Sequence, residues 1–201
     1  KAEKYVGQIC GLPFIATKDV GFDNEINYET NVRIPDFSNF KTVPANTALL
    51  CIEGGSAGRK IGFVTQDVCF GNKLCAFVSE TINAKFIYFF LQSQCFIDQF
   101  NRKKHGLIGG VSVKDLAGIG FTVPPLPEQQ RIVSRIESLF AKLDKAKEKA
   151  QAVVDGFELR KSAILHKAFT GELTERWRKK YAKSDSDWRV ARFNEVAEVK
   201  S

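Results

Sequence analysis

The sequence lacks the residues that most often build metal and disulfide sites. It has no methionine, two histidines and five cysteines, none of which forms a C-x-x-C pair. The odd number of cysteines and their spacing argue against a disulfide framework or a zinc knuckle, and they favour a reducing compartment. Because methionine is absent, Lys1 is not an initiator residue, and we expect the natural polypeptide to begin elsewhere.

Features of membrane and secreted proteins are also missing. No apolar run approaches the roughly 18–20 residues of a membrane span, and the longest candidate covers only 86–91. No signal peptide opens the chain. We therefore expect a soluble protein located in the cytoplasm.

Motifs of catalysis are scarce as well. His105 and His166 have no Cys, Asp or Glu at metal-ligand spacing around them. Neither a Walker loop nor a nucleophile elbow occurs. The sole Pro-Pro, at 124–125, does not stand in the Asn/Asp-Pro-Pro-aromatic motif expected of an adenine methyltransferase. These absences predict a chain that is not an enzyme and has no metal site or cofactor of its own.

Apolar and basic residues, by contrast, are plentiful. With 44% hydrophobic residues and 17 Phe, a chain of 201 residues can bury one sizeable core. The formal net charge of +7 and pI near 9.2 favour a polyanionic partner, such as nucleic acid, an acidic protein surface or an anionic membrane. The basic excess lies mostly after residue 127, so basic residues before that point must act by their position.

Residues 1–123 predict an α+β fold with a dominant β component. Apolar residues at helical spacing follow Asn83, a residue typical of a helix N-cap, and they predict a helix at 84–101. Short apolar runs between turn signals predict strands at 46–53, 60–65, 73–78 and 118–123.

The residues after 123 follow a different pattern. Pro124 and Pro125 stop any strand, and Pro127 suits the first turn of a helix. From there towards Gly171 the apolar residues recur in alternating steps of four and three, which favours a coiled coil over a helix lying on its own domain. The partner helix must come from another chain or from a segment outside this sequence. The predicted interface residues are Ile132, Ile136, Leu139, Leu143, Ala146, Ala150, Val153 and Phe157.

Two motifs give a resemblance to a known family. Pro-Pro-Leu-Pro-Glu-Gln-Gln-Arg-Ile-Val at 124–133 is followed by the heptad helix and by Ala-Phe-Thr-Gly-Glu-Leu-Thr at 168–174. This order resembles the specificity subunit of type I restriction-modification systems, in which a target recognition domain ends at a PLPEQ-like sequence and a long helix follows. The segments 14–20, 54–63 and 111–116 extend the resemblance over nearly the whole chain.

The resemblance implies three parts. They are a target recognition domain at 1–123, a PLPEQ linker with a long coiled-coil spacer helix at 124–171, and a linker with a Trp-containing strand at 172–201. Recognition domains of the family usually open with such a strand, whereas Trp188 stands near the C-terminus here. Either the chain is a half-length or excised subunit whose last strand belongs to a following domain, or that strand folds back to complete residues 1–123.

The resemblance also implies a function and partners. The chain would be a non-catalytic subunit that recognises one half-site of a bipartite target in double-stranded DNA. It would recruit a methyltransferase (M) subunit that binds S-adenosylmethionine and a restriction (R) subunit that uses ATP and Mg²⁺, with 157–169 as the expected docking surface. The long helix would pair with a second specificity half, in a homodimer or on the same polypeptide.

Polar and basic residues on predicted loops are the candidates for DNA contact, because cations bind phosphates and polar side chains read base edges. One group is a basic tip before a glycine-rich stretch, and a second is a glycine-rich hairpin. A solvated helix end and a plain turn are the structural alternatives for these groups. The candidates are Lys18, Arg59, Lys60, Asn72, Lys73, Arg102, Lys103, Lys104 and His105.

A second class of function competes with DNA recognition. The chain could be a coiled-coil interaction scaffold whose head binds protein and whose basic charge gives only nonspecific DNA affinity. Sequence-selective binding that survives moderate salt separates the two, since a nonspecific polycation loses affinity steeply as salt rises. The sequence favours the specificity subunit.

Overall fold

The computed structural model describes residues 2–106, 109–181, 189–198 and 200. The chain divides into two compact units, Lys1–Leu139 and Phe140–Ser201. The first unit contains all the named strands and the first three α-helices, and the long fourth helix begins in it and continues into the second unit.

The first unit is a mixed α/β domain. Its strands are β1 (Leu12–Ile15), β2 (Arg33–Ile34), β3 (Lys41–Val43), β4 (Thr47–Cys51), β5 (Ile61–Val64), β6 (Val68–Phe70) and β7 (Leu74–Phe77). The helices of the chain are α1 (Ala84–Leu91), α2 (Gln94–Arg102), α3 (Val113–Ala117), α4 (Leu126–Phe169), α5 (Glu175–Tyr181) and α6 (Phe193–Val196). Short 3₁₀ turns cover Ala2–Tyr5, Thr17–Asp19 and Glu172–Thr174.

The strands form two sheets, in the orders β2-β1-β6-β3 and β5-β4-β7. β1 and β6 are parallel, and the other pairs are antiparallel. β4 is buried at every position because its two faces serve different cores. Leu50 and Ile52 pack with the helices, whereas Leu49 and Cys51 pack with β1 and β6. A strand covered on both faces reads as a continuous apolar run, which is why 46–53 was recognisable as a strand.

Most sequence-based expectations for this unit are confirmed. The strands predicted at 46–53, 60–65 and 73–78 correspond to β4, β5 and β7. The Asn83 side chain accepts hydrogen bonds from the backbone N–H groups of Lys85 and Phe86, as an N-cap does.

The helix predicted at 84–101 is two helices instead of one. α1 ends at Leu91, and the Ser93 hydroxyl then accepts a hydrogen bond from the backbone N–H of Phe96, which caps α2. The serine side chain bonds to the backbone and starts a new helix, so α1 does not continue through this position. The break lets Phe96 and Phe100 of α2 enter the core.

The prediction of a strand at 118–123 is wrong, because this segment is irregular and pairs with no strand in the described part of the chain. Side-chain packing holds it in place: the Phe121 ring stacks on Phe90 with a centroid distance of 4.5 Å. The prolines that follow cannot donate to a ladder. An apolar run can therefore be held against the domain by ring packing without any strand pairing.

The motif at 124–133 attaches the start of α4 to the first unit. Gln129 is only 2% exposed. Its Nε2 donates to the Pro124 carbonyl at 2.8 Å, and its Oε1 accepts from the Asn83 backbone N–H at 2.9 Å. Val133, one turn later, is also buried, and Lys85 forms an ion pair with Glu137. The buried amide thus connects α4, the proline segment and the cap of α1.

In the second unit α4 continues through Gly156 to Phe169. Gly171 follows the helix with φ of 81°, a left-handed conformation that glycine adopts without steric cost. None of the helices in the described ranges combines the length and apolar character that a membrane span requires.

The strand predicted around 188–199 is not seen in the residues described there. Trp188 and Val199 lie outside the described residues, and Phe193–Val196 form α6, a single helical turn. The backbone N–H of Ala197 donates to the Phe193 carbonyl at 2.8 Å, and the Arg192 N–H donates to the Glu195 carboxylate. These local hydrogen bonds occupy backbone groups that a strand would leave for a neighbour.

Candidate nucleic-acid interface

The β4–β5 connection carries two of the predicted DNA-binding cations. Gly58 has φ of 75°, and a Cβ there would lie 2.6 Å from the Phe100 ring. Only glycine allows the backbone to pass so close to that buried ring. Arg59 and Lys60 follow directly, so the contact between Gly58 and Phe100 brings both cations beside α2.

A tight turn at 21–25 adds an exposed aromatic side chain to the same surface. The Gly21 N–H donates to the Glu25 carbonyl at 2.8 Å, and the Asp23 carboxylate accepts from the Glu25 N–H at 3.1 Å. Asn24 adopts a left-handed φ of 68°, which asparagine tolerates better than most residues. The turn leaves Phe22 at its tip with 61% of its surface exposed.

Both cations of the connection lie against this aromatic ring. Arg59 Cζ is 5.0 Å and Lys60 Nζ is 4.9 Å from the Phe22 centroid. Lys60 Nζ also donates to the Thr17 carbonyl at 3.0 Å. Cation–π contacts at exposed sites contribute about 0.5–1 kcal/mol, enough to favour one orientation of these long side chains. Their charges are thus held at defined positions.

We call the surface cavity beside this cluster the Phe22 cleft. Its volume is about 660 Å³, and it lies between the turn at 21–25, the β4–β5 connection and α2. The polar and charged side chains lining it are Asn24, Arg59, Gln92, Asn101 and Lys104. Lys104 Nζ lies 5.5 Å from the Phe100 centroid. Among the described residues that line the cleft, none is acidic, so its electrostatic character is positive.

Four other predicted residues are distributed elsewhere. Lys18 is exposed on the 3₁₀ turn Thr17–Asp19, next to the carbonyl that holds Lys60. Lys73 and His105 border a separate depression that also includes Glu53. Asn72 borders a third depression with Lys41. The structure therefore brings Arg59, Lys60 and Lys104 together and leaves Asn72, Lys73 and His105 apart from them.

The basic residues at the end of α2, Arg102 to His105, interact in part with other groups of the protein. Arg102 Nε donates to the Asp98 carbonyl of its own helix at 3.3 Å. His105 Nε2 lies 3.9 Å from the Asp115 carboxylate. The pKa of Asp115 is lowered, chiefly by the hydrogen bond from the Ser112 hydroxyl at 2.5 Å and further by the charges of His105, Lys103 and Lys114. Lys103 and His105 therefore interact with a carboxylate as well as with solvent.

The residues missed by sequence reasoning are Phe22, Asn24, Gln92 and Asn101. An aromatic residue inside the turn sequence Gly-Phe-Asp-Asn was a detectable signal, because such turns are usually polar throughout. Gln92 and Asn101 carry no local signal, since they are ordinary polar residues near helix ends. Their grouping depends on contacts between segments distant in sequence.

The predicted coiled-coil residues fall into two classes. Ile132 and Ile136 are half-buried in the first unit, next to buried Gln129 and Val133. The rest are exposed in the structure: Leu139, Leu143, Ala146, Ala150, Val153 and Phe157. The first turns of α4 thus use a wider apolar stripe than the heptad indicated, and the exposed seam begins at Leu139. Pairing of this seam stays a prediction.

The described part of the chain contains no group of three or more His, Cys, Asp or Glu side chains that could hold a metal ion.

Comparison with known proteins agrees with the fold and with the motif at 124–133. Residues 2–153 match the family model described as type I restriction modification DNA specificity domain. The chain is 33% identical over 102 residues to the type I restriction enzyme EcoDI specificity subunit of Escherichia coli, covering 50% of this chain and 23% of that protein. It is 38% identical over 68 residues to the StySPI specificity subunit of Salmonella potsdam, covering 34% and 15%.

Solved structures share the fold at low sequence identity. A chain from a structure of a type I R-M system, determined to study its complex assembly and conformational transition, matches with a TM-score of 0.66 at 19% identity, over 84% of this chain and 40% of that one. The HsdS subunit from Thermoanaerobacter tengcongensis matches with a TM-score of 0.57 at 15% identity, over 89% and 45%.

These matches confirm the expected α+β class with one long helix and the resemblance drawn from the sequence. The matched stretches span less than a quarter of the two curated relatives. Both relatives are named specificity subunits of type I restriction enzymes. Because the family model matches well over half of its residues, the chain belongs to the family of type I restriction-modification DNA specificity domains.

Proposed function

We propose that this chain binds double-stranded DNA and recognises one half-site of a bipartite target as the specificity component of a type I restriction-modification complex. The observation that carries the proposal is the Phe22 cleft, which Arg59 and Lys104 line from separate segments while Lys60 contacts the Phe22 ring beside it. The cleft occurs in a chain of the DNA specificity family. Converging cations without an acidic neighbour in the cleft suit a phosphate backbone.

Electrostatics gives the proposal a measurable consequence. Each phosphate neutralised by Lys or Arg releases counterions. The logarithm of the binding constant therefore falls with the logarithm of the salt concentration, with a slope of about 0.9 per phosphate contact. Contacts of this kind hold the protein on DNA but carry no sequence information. Arg59→Ala and Lys60→Ala should therefore weaken binding to every duplex alike and reduce the salt slope by about 1 each. Lys149→Ala, on the exposed surface of α4, is the matched control.

The exposed seam of α4 supports a second part of the proposal. Leu143 and Phe157 are 64% and 57% exposed, an unusual state for a row of apolar side chains. We propose that this seam pairs with the helix of a second specificity half and that its length sets the spacing between half-sites. Methyltransferase and restriction subunits, carrying S-adenosylmethionine and ATP with Mg²⁺, would supply the chemistry.

The test is selection of bound duplexes from a randomised pool by the protein assembled with its methyltransferase subunit at near-physiological salt. Enrichment of a short motif or a spaced pair by the unmodified protein, with the same motif bound at lower affinity by the Arg59 and Lys60 variants, supports the proposal. Recovery of random sequence, with affinity that collapses as salt rises, would favour the interaction scaffold instead.

A further inference from the structure

The three amide side chains of the Phe22 cleft differ in how far the protein already uses them. Gln92 Nε2 donates to the Tyr88 carbonyl at 3.2 Å, and Gln92 Oε1 accepts from Asn24 Nδ2 at 3.1 Å. Both ends of the Gln92 amide are therefore occupied, and Asn24 has committed its nitrogen to the same pair. These two amides connect the turn at 21–25 to the end of α1.

Asn101 is in a different state. It lies in the last turn of α2, is exposed, and lines the cleft together with Arg59 and Lys104. Within the described residues its carboxamide forms no hydrogen bond, so both its donor and its acceptor face solvent. The carboxamide of asparagine presents an N–H donor next to its oxygen acceptor, which matches the N7 acceptor and N6 donor of adenine in the major groove.

The side chain of Asn101 is flanked by the cations Arg59 and Lys104, an arrangement that suits a residue contacting a base between two phosphates. The Phe100–Gly58 contact fixes α2 against the β4–β5 connection, so Asn101 and Arg59 cannot separate without disturbing a buried ring. The major groove, about 12 Å wide, admits a helix end. Cations beside that helix end reach the phosphates that border the groove.

We propose that Asn101 is a specificity-determining residue that reads an adenine edge in the major groove, while Arg59 and Lys104 bind flanking phosphates. This inference rests on the proposed DNA-binding function. Phe22, which also lines the cleft, keeps Arg59 oriented. Asn24 and Gln92 act as positioning residues for the turn.

The test compares the unmodified chain with Asn101→Ala and Asn101→Asp, each assembled with the methyltransferase subunit, in the same duplex selection. The unmodified chain should require adenine at one position. Asn101→Ala should lose about 5- to 150-fold of the discrimination at that position and keep the others. Asn101→Asp should shift the preference there towards cytosine, because a carboxylate accepts from the cytosine N4 amino group.

Asn31→Asp is the matched control, since Asn31 is exposed, precedes β2 and does not line the cleft. It makes the same charge change and should retain the unmodified motif at every position. Thermal unfolding checks that all variants fold, which we expect because Asn101 is exposed.

The outcomes separate this inference from the proposed function. If the unmodified chain enriches a motif and Asn101→Ala enriches the same motif with equal discrimination, the inference is overturned while the DNA function stands. A uniform loss of affinity across all positions also overturns it, since Asn101 would then act on the backbone alone. If the unmodified chain enriches nothing, the proposed function fails and this inference fails with it.

Discussion

The two parts of the chain contain similar apolar residues but bury them to very different degrees. In the first unit, β4 is buried at every position and Leu49 and Leu50 are completely inaccessible. In the α4 segment of the second unit, Leu143 and Leu159 are 64% and 76% exposed. The backbone hydrogen bonds of a helix are local, so they form without any tertiary partner. The comparison teaches that apolar content alone does not locate a core.

The largest effect should come from removing a ring in the buried part. Phe96 is 1% exposed and contacts the rings of Phe90 and Phe100. Phe96→Ala should therefore lower the free energy of unfolding by about 3–5 kcal/mol. Phe157→Ala, on the exposed seam, should change stability by less than about 0.5 kcal/mol at low protein concentration. Denaturant unfolding measures both. Equal losses of stability in the two variants would show that the chain itself covers the seam, and the contrast between a buried and an exposed part would be wrong.

Glycines in the β4–β5 connection test how tightly the first unit is packed next to its binding surface. Gly58→Ala forces a Cβ against Phe100 at a positive φ and should cost about 2–4 kcal/mol. Gly54 has φ of 82° but open space around its Cβ, so Gly54→Ala should cost only about 1–2 kcal/mol. Thermal unfolding of both variants separates the steric clash from the backbone strain. Equal losses would mean that the ring moves away freely.

The Gln129 amide marks where α4 still belongs to the buried part. Gln129→Met keeps the volume but leaves the Asn83 N–H and the Pro124 carbonyl without their partner, which should cost about 1–3 kcal/mol. Gln130→Met, next to it and exposed, should have almost no effect. Unfolding monitored in both variants checks this. If Gln129→Met does not change the stability, the buried region ends before α4.

The smallest effect concerns a charge on the surface of the first unit. The folded-state pKa of Asp115 is lowered below its ordinary 3.8, so the carboxylate stabilises the fold above that value and its contribution disappears as pH falls through the lowered pKa. Asp115→Asn should therefore lower the melting temperature slightly at pH 7, and the difference should shrink as the pH falls below 3.8. In a Ser112→Ala background the difference should shrink, because that hydroxyl is the main cause. A difference that is constant with pH would assign the effect to packing.

Local patterns in the sequence were sufficient for much of the fold. The apolar runs at 46–53, 60–65 and 73–78 predicted strands, and Asn83 predicted a helix start. They failed at 118–123, where ring stacking of Phe121 replaces strand pairing, and at Ser93, where a cap divides one amphipathic pattern into two helices. In both places a tertiary or side-chain contact overrode a periodicity that is read over neighbouring residues only.

The sequence by itself determined the α+β class, the long helix and the family, because each is recorded in local patterns along the chain: short apolar runs between turn signals, heptad steps and the motif at 124–133. Only the tertiary structure decided the Phe22 cleft. Its hydrogen bond between Asn24 and Gln92 joins residues 68 positions apart, and Gly58 meets Phe100, which lies 42 positions further along the chain. Such neighbours are selected by burial of the shared core, a property of the whole domain that no short stretch of sequence contains.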